Sequence, residues 1–548
     1  MIRPRLSTIL LFNTGVALAA VACGQGKPDT LGTGGGAAVG SGASGGATSG
    51  SAGKGGSGAT GGSTGGTGGS TGGTGGSTGG TGGSFGGRAN VTGGSAGVGA
   101  GGKAVGGSGG IGAGGNPVGG SAGMGTGATG SGNCTITSMA TQSAAISTVF
   151  NVAFTTDLPG VDSAHIDFGI DTTYGLTAPV DLKDATTPLL GMKPMKTYHY
   201  RVVVGAGATT CSGADQTVTT GPLANGMPKP MITTNNAMTL TGGFLLSEWY
   251  AGQQMVFILD KDNDFVWWFD PKTVNMQFGD LTRARMSTDG KSMWIGHGNV
   301  PNMTGRMLKV AMDGSNPQDL SSSFTNMNHD FTIVNDAMGD WIYFIAYGAS
   351  GAACDDIREY SPTGMVRTVM NIGAAFTSGM CHANAIEYSK EDDTLVISEL
   401  DHDAYVKIKR TTGEKVWVLG GGTNNNFTGD AATWDNEHNC EVLGANHLLM
   451  FNNGSGTAGS NAIEIMLDPN AMTATKMWEY TASPVINNVI MGDVQRLPNG
   501  NTLITYSTQG IIHEVDANKN LLQSLSWGTG GALGYAIKRP TLYGPSPK

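Results

Sequence analysis

Val494-Gln495-Arg496-Leu497-Pro498-Asn499-Gly500-Asn501-Thr502-Leu503-Ile504 reads as a β-rich strand with a Pro-Asn-Gly turn in it. A hairpin follows, from Ile512-His513-Glu514-Val515-Asp516 to Trp527. The hairpin recurs upstream as Phe257-Ile258-Leu259-Asp260 to Trp268, Leu308 to Gly314, Ile357 to Met370, Val406 to Trp417, and Ile463 to Trp478. Six copies at a period of roughly 50 residues match the spacing of four-stranded propeller blades. No long apolar stretch of helical period interrupts them. Six units can close a ring, and a ring hides its edge strands. The expected fold class is therefore all-β, with a six-bladed β-propeller over residues 226–548.

The strand with the turn also recurs, as Glu441 to Leu449 and near Arg283, His329 and His382. The first strand of a blade lines the central channel, so the residues that open it gather around the axis. Three consecutive repeats open with histidine: His329-Asp330, His382-Ala383-Asn384 and His438-Asn439. The whole chain has nine histidines, so three at one phase of a ring point to a shared role. Arg283 stands near that phase two repeats ahead of His382, and Asp493 one repeat after His438. Three imidazoles can hold zinc or another divalent ion. Alternatively, one attacks as a nucleophile while the others move protons and hold an anion. Spacing alone leaves both open.

Residues from about 230 to 545 resemble the bacterial arylsulfate sulfotransferases, exported six-bladed propellers. The similarity is carried by His382-Ala383-Asn384-Ala385-Ile386, Val406 through Trp417, His438, Phe451-Asn452-Asn453-Gly454, Gly492 through Ile504, and Tyr535 through Gly544. The resemblance implies that His438 is transiently sulfated, that His382 and Asn384 contact the transferred group, and that His329 is the remaining channel histidine. It implies exchange between an aryl sulfate ester and a phenolic acceptor, with no nucleotide donor, no cofactor and no metal. Arg283 is a further candidate for binding substrate. Attack needs a neutral imidazole, so activity should fall as pH drops below its pKa, near 6.5 if unperturbed.

One position departs from the family pattern. Where Ser-Ser-Arg is expected, this chain reads Ser398-Glu399-Leu400, followed by Asp401-His402-Asp403. A guanidinium grips sulfate through paired donors, and losing such a contact costs about 10²–10³ in rate. Glu399 and Asp403 would add repulsion, and Arg283 or His402 would have to compensate. The departure motivates an alternative, a non-catalytic surface propeller that binds a ligand or partner. A metal-dependent hydrolase using the three histidines is the third reading.

Outward from the propeller, residues 133–225 read as a small β-sandwich, with β-rich runs at Ile146 to Phe154, His165 to Phe168 and Tyr198 to Val204. Leu190 through Val202 resembles a fibronectin type III pattern with its tyrosine-corner segment. His165 and His199 are expected to be ordinary strand residues. Cys134 and Cys211 bracket this domain and are expected to pair; Cys354 with Cys381 is the preferred second pair, leaving Cys440. Asp260-Lys261-Asp262-Asn263-Asp264 starts like a calcium loop but lacks the required Gly and closing Glu, so a hairpin turn is expected.

The N-terminal quarter carries most of the excess of the 93 glycines. Its Gly/Ser/Thr repeats bury no apolar surface, so 23–132 is expected to be a disordered stalk. A coil of about 100 residues reaches near 55 Å. Before it, Arg3 and Arg5 precede an apolar run from Leu6 to Val21 that ends in Ala20-Val21-Ala22-Cys23. This resembles a lipobox, with 1–22 as signal peptide and Cys23 as the lipidated residue. Gly24 in place of Asp favours the outer membrane, giving an exported, outer-membrane or cell-surface lipoprotein, periplasmic if retained. Net charge is −10 with no basic run, which argues against nucleic acid and leaves the lipid anchor as the membrane contact.

Overall fold

The computed structural model describes residues 134–544 apart from 251–252, 300–303, 349–352, 432–433, 455–457 and 529, together with the strand Ala128–Thr129. The signal segment, Cys23 and the rest of the Gly-rich stretch lie outside the described residues. The described chain is all-β. A two-sheet sandwich precedes six four-stranded antiparallel blades set in a ring.

Blades 2 to 5 are each one uninterrupted run of sequence. Their innermost strands are Leu281–Met286, Met327–Asp336, Ala383–Ser389 and Glu437–Gly444. Blade 6 begins at the axis with Asp493–Arg496 and gains a fifth, outermost strand, Met231–Thr234, from the start of the propeller. Blade 1 takes its three outer strands from Phe244–Phe269 and its innermost strand, Leu533–Arg539, from the end of the chain. The ring is thus closed twice, which removes the open edges that a linear array would expose. The six recurring hairpins are the third and fourth strands of the six blades, counted from the axis.

Blade faces are apolar because both sides of each sheet are covered. In Phe265–Phe269 and Val256–Leu259 every residue is buried, giving continuous rather than alternating apolar runs. The sandwich alternates instead: Ile136, Ser138 and Ala140 point inward along Thr135–Gln142. Its core gathers Val152, Ile166, Phe168, Tyr198, Tyr200 and Val202, and the Cys134–Cys211 disulfide ties its two sheets. The Tyr198 hydroxyl accepts the Lys193 N–H at 2.8 Å.

The structure corrects one strand. Ile146 to Val149 form a turn, and the strand begins at Phe150. Ile146 and Val149 instead insert into a propeller cluster with Val256, Trp267 and Met312, while the Thr148 hydroxyl donates to the Val266 carbonyl at 2.7 Å. Burying two aliphatic side chains there outweighs the pairing that a longer strand would add. At Asp260–Asp264, a hairpin turn as expected, the Lys193 ammonium lies 3.0, 2.7 and 3.0 Å from the carboxylates of Asp260, Asp262 and Asp264. A lysine from the sandwich occupies the middle of that acidic turn.

Candidate active site

Five of the six innermost strands carry a register break at the same end. The ladder shifts between Leu281 and Arg283, Asn328 and Phe331, Ala383 and Ala385, and Glu437 and Cys440. In blade 1 it skips Gly534 and Tyr535. Residues in such bulges leave the pleat and are re-aimed. Besides Thr282 and Gly534, these are His329, Asp330, Asn384, His438, Asn439 and Tyr535. His329 also adopts φ +44°, a left-handed conformation that a non-glycine residue holds only under surrounding constraint.

The bulges bring the predicted histidines together. His329 Nε2 and His382 Nε2 stand 3.2 Å apart, with ring planes at 69°. His438 lies beside them, close enough that its charge would depress His329. Its Nδ1 is 2.6 Å from Asn453 Oδ1. Both N–H groups of the Asn453 amide are committed, at 2.7 Å to the Asn488 carbonyl and 2.9 Å to that of Met491. The oxygen of Asn453 must therefore face the ring, and Nδ1 must carry the proton. His438 Nε2 is left with a lone pair, is buried, and has no hydrogen-bond partner among the described residues.

Burial lowers all three imidazoles. His438 falls to about 3, with His382 adding to the effect and the Asn453 bond opposing it. His329 is held well below its ordinary value by burial and by the other two rings, and His382 is lowered by burial against the pull of Asp401 and Glu399. The cluster is neutral at physiological pH. Its ring nitrogens do not all lie within 4.8 Å of one another. Among the described residues only Cys381, Glu399 and His402 meet that condition, and Cys381 is bonded to Cys354.

Arg283 sits in the same ring, and each of its three guanidinium nitrogens is engaged. Nε and Nη2 bond Asp330 at 2.8 and 3.2 Å, and Nη1 bonds Asp493 at 3.0 Å. The guanidinium stacks on Tyr535, 3.8 Å from the ring centroid, and the Tyr535 hydroxyl donates to the Asn384 carbonyl at 3.0 Å. Asn439 bonds Asp493, and Asp330 accepts the Ile386 N–H at 3.2 Å. All six blades are joined through this plug. Arg283, expected to bind substrate, is thus placed as a strut. The Asn384 side chain is likewise engaged, donating to the Glu437 carbonyl at 2.9 Å and accepting from Ser398.

The two groups that would compensate for Leu400 are both occupied. The His402 Nδ1 is 2.5 Å from Glu399, its Nε2 is 3.0 Å from the Ser378 carbonyl, and its ring stacks on Phe376. The Glu399 bond raises its pKa. Glu399 spends its oxygens on His402 and on the N–H groups of His382, Asp401 and His402, so it caps a turn and does not face the cluster as a bare charge. Leu400 is buried at the start of that turn.

Sequence reasoning missed Asn453, Asn328 and the bulges. Asn453 lies in the quoted Phe451–Gly454 stretch, and Asn328 directly precedes a channel histidine, but neither has a signal of its own. Asn453→Ala is expected to lower kcat by about 10–10² through loss of the tautomer lock, the equivalent of one charge-developing hydrogen bond. Single-turnover labelling of His438 checks this; an unchanged rate would show that Asn453 does not set the tautomer.

Residues 355–526, less than half of the chain, match the family model described as arylsulfotransferase (ASST). No curated protein matches the chain. Among solved structures it is similar to a protein of unknown function from Bacteroides caccae, at 12% identity over 54% of this chain and 98% of that one, with a TM-score of 0.36. It is also similar to the β-propeller domain of a Myceliophteria thermophila protein, at 9% identity over 57% and 87%, with a TM-score of 0.35. A virginiamycin B lyase from Staphylococcus aureus matches at 11% identity over 54% and 88%, with a TM-score of 0.34.

Proposed function

We propose that this chain is an exported, lipid-anchored enzyme that moves a sulfuryl group from an aryl sulfate ester to a phenolic acceptor through a sulfohistidine at His438. The observation that carries the reading is the His438 Nε2, a buried lone pair without a partner, on a ring whose other nitrogen is fixed by Asn453. A buried polar atom left unsatisfied costs stability and calls for a functional account. The arylsulfotransferase match over 355–526, which includes His382 and His438, supports the same chemistry.

In this mechanism Nε2 attacks sulfur, an N–S bond forms, and the S–O bond to the aryl group breaks. A neutral pair has no proton to give, so the departing oxygen takes one that the His329–His382 pair picks up from solvent as the anionic ester binds. An acceptor phenol then attacks sulfur, the N–S bond breaks, and its proton returns to His329 Nε2, so the same groups serve both halves. His382 is the part-buried member of the cluster, and His329 and His438 are buried.

The test is mass spectrometry of the protein after brief exposure to 4-nitrophenyl sulfate. The expected result is one added SO3 group on the peptide holding His438, with nitrophenol release and transfer to phenol. Folded protein that releases no nitrophenol from this or other aryl sulfates would overturn the reading. That result would favour the binding propeller, motivated by Leu400 and by the absence of an uncommitted guanidinium among the described site residues.

The pKa direction sets a pH prediction. With His438 at about 3, kcat/KM for 4-nitrophenyl sulfate should stay flat from pH 8 to about 5, not fall near 6.5. Stability behaves oppositely. The three folded-state values lie below the unfolded one, so the stabilisation present above about 6.5 is lost as pH falls toward them. Acid should unfold the protein before it silences the folded site. An activity limb near 6.5 in protein that urea melts show to be folded would contradict this.

A further inference from the structure

We infer that Asp355 and Asn328, outside the histidine cluster, are positioning residues that set the tautomer of His329 and balance its charge when it holds a proton. This deepens the transfer reading and rests on it. The chain of contacts is continuous. The Asn328 amide nitrogen faces Asp355 Oδ1 at 3.4 Å, and its oxygen lies 3.2 Å from His329 Nδ1. His329 Nε2 in turn meets His382 Nε2 at 3.2 Å. The other Asp355 oxygen accepts the Ala383 N–H at 2.9 Å. Asn328 is fully buried and Asp355 nearly so.

The consequences follow from donor and acceptor counting. An amide whose nitrogen points at a carboxyl presents its oxygen to the imidazole, so His329 carries its proton on Nδ1. Its Nε2 is then the basic atom and accepts from the Nε2–H of His382. A proton arriving from an acceptor phenol goes to His329 Nε2 and makes an imidazolium, with Asp355 as the carboxylate behind it. Burial raises the Asp355 carboxyl to about 7, so above that pH it is the carboxylate, while the rings, held below their ordinary values, stay neutral until substrate delivers a proton. The surrounding charged and titratable groups are Glu399 and Asp356 near Asp355, His438 near His329, and Glu399 and Asp401 near His382.

The arrangement is held covalently. Cys354 precedes Asp355 and Cys381 precedes His382, and the two cysteines are bonded. The disulfide therefore clamps the loop that carries the carboxyl to the strand that carries the second imidazole. It also mirrors His438, where another amide, Asn453, does the same to Nδ1. Two of the three rings are thus set by asparagines whose nitrogens are anchored elsewhere.

The test uses the full chain and two donors that differ in leaving group. Asp355→Asn keeps the size of the side chain and removes its charge. The kcat/KM for phenyl sulfate, which in a two-step exchange reports only the half up to release of the leaving group, is expected to fall on the order of 10–10²-fold, at or below the low end of general acid–base effects, because this phenolate needs protonation. The kcat/KM for 4-nitrophenyl sulfate should change less than about threefold, since its leaving group needs little help. Equal losses with both donors would indicate a structural role and overturn the inference. Nitrogen NMR of ring-labelled histidine in the wild-type chain gives the second readout, with His329 expected as the neutral Nδ1–H tautomer. A protonated Nε2 with bare Nδ1 would overturn the inference even where the variant does not fold. If the wild-type chain turns over no aryl sulfate, the transfer reading fails, while the tautomer measurement still decides the positioning.

Discussion

His438→Ala is expected to abolish sulfuryl transfer and adduct formation in protein that still folds. Its imidazole is the only ring of the cluster whose outward nitrogen is both deprotonated by its tautomer and unpartnered among the described residues. His329 and His382 point their Nε2 atoms at each other, so neither replaces it. Loss of a nucleophile in a covalent mechanism lowers kcat on the order of 10⁴-fold or more, because no parallel path with the same geometry exists. The structural cost is smaller. Alanine leaves the Asn453 oxygen without its donor, worth about 1–3 kcal/mol, which a propeller of this size survives. Kinetics and urea unfolding on the same preparation separate the two effects. Retained transfer would remove His438 from the mechanism and move the weight to the non-catalytic reading.

Arg283→Met should have the largest effect on stability. The guanidinium is 4% exposed and lies between Asp330 and Asp493, which are 0% and 2% exposed. Burial alone would lower its pKa, but the two carboxylates outweigh burial and hold it charged. Removing one partner from such a group leaves uncompensated buried charge and costs about 3–5 kcal/mol. The loss should appear as a lowered urea midpoint. Adding Asp330→Asn and Asp493→Asn to the same chain should recover part of it, since the penalty lies in the orphaned charges. A single variant within about 1 kcal/mol of the wild type would show that the plug is not an ion cluster. Since Arg283 joins blades 2, 3 and 6 and stacks on blade 1, activity should decline with it even though its donors do not reach the histidines.

Much of this site could be read from the chain because a propeller converts sequence period into spatial phase. Residues one repeat apart, such as His329, His382 and His438, must reach one end of the channel once each repeat is a blade. Cys354 and Cys381 likewise paired where the sequence placed them. The exceptions are equally specific. Ile146 to Val149 reads as strand because its residues are β-formers, yet the propeller surface captures them as a turn. Arg283 reads as an anion-binding group because its type and phase allow it, yet Asp330 and Asp493 engage its three guanidinium nitrogens.

By itself, then, the sequence determined the repeat, the number of blades, the end of the channel at which the imidazoles collect, and the Leu400 departure. These depend on order and spacing along one chain. Only the tertiary structure decided that the last strand completes the first blade, that bulges turn the site residues out of the pleat, and that the Asn453 oxygen meets Nδ1 of His438. Those outcomes depend on which donor meets which acceptor within and across blades, as Asn453 meets His438 and Arg283 meets Asp330 and Asp493. Burial requires every polar group to find a partner, and that accounting closes only over the whole ring.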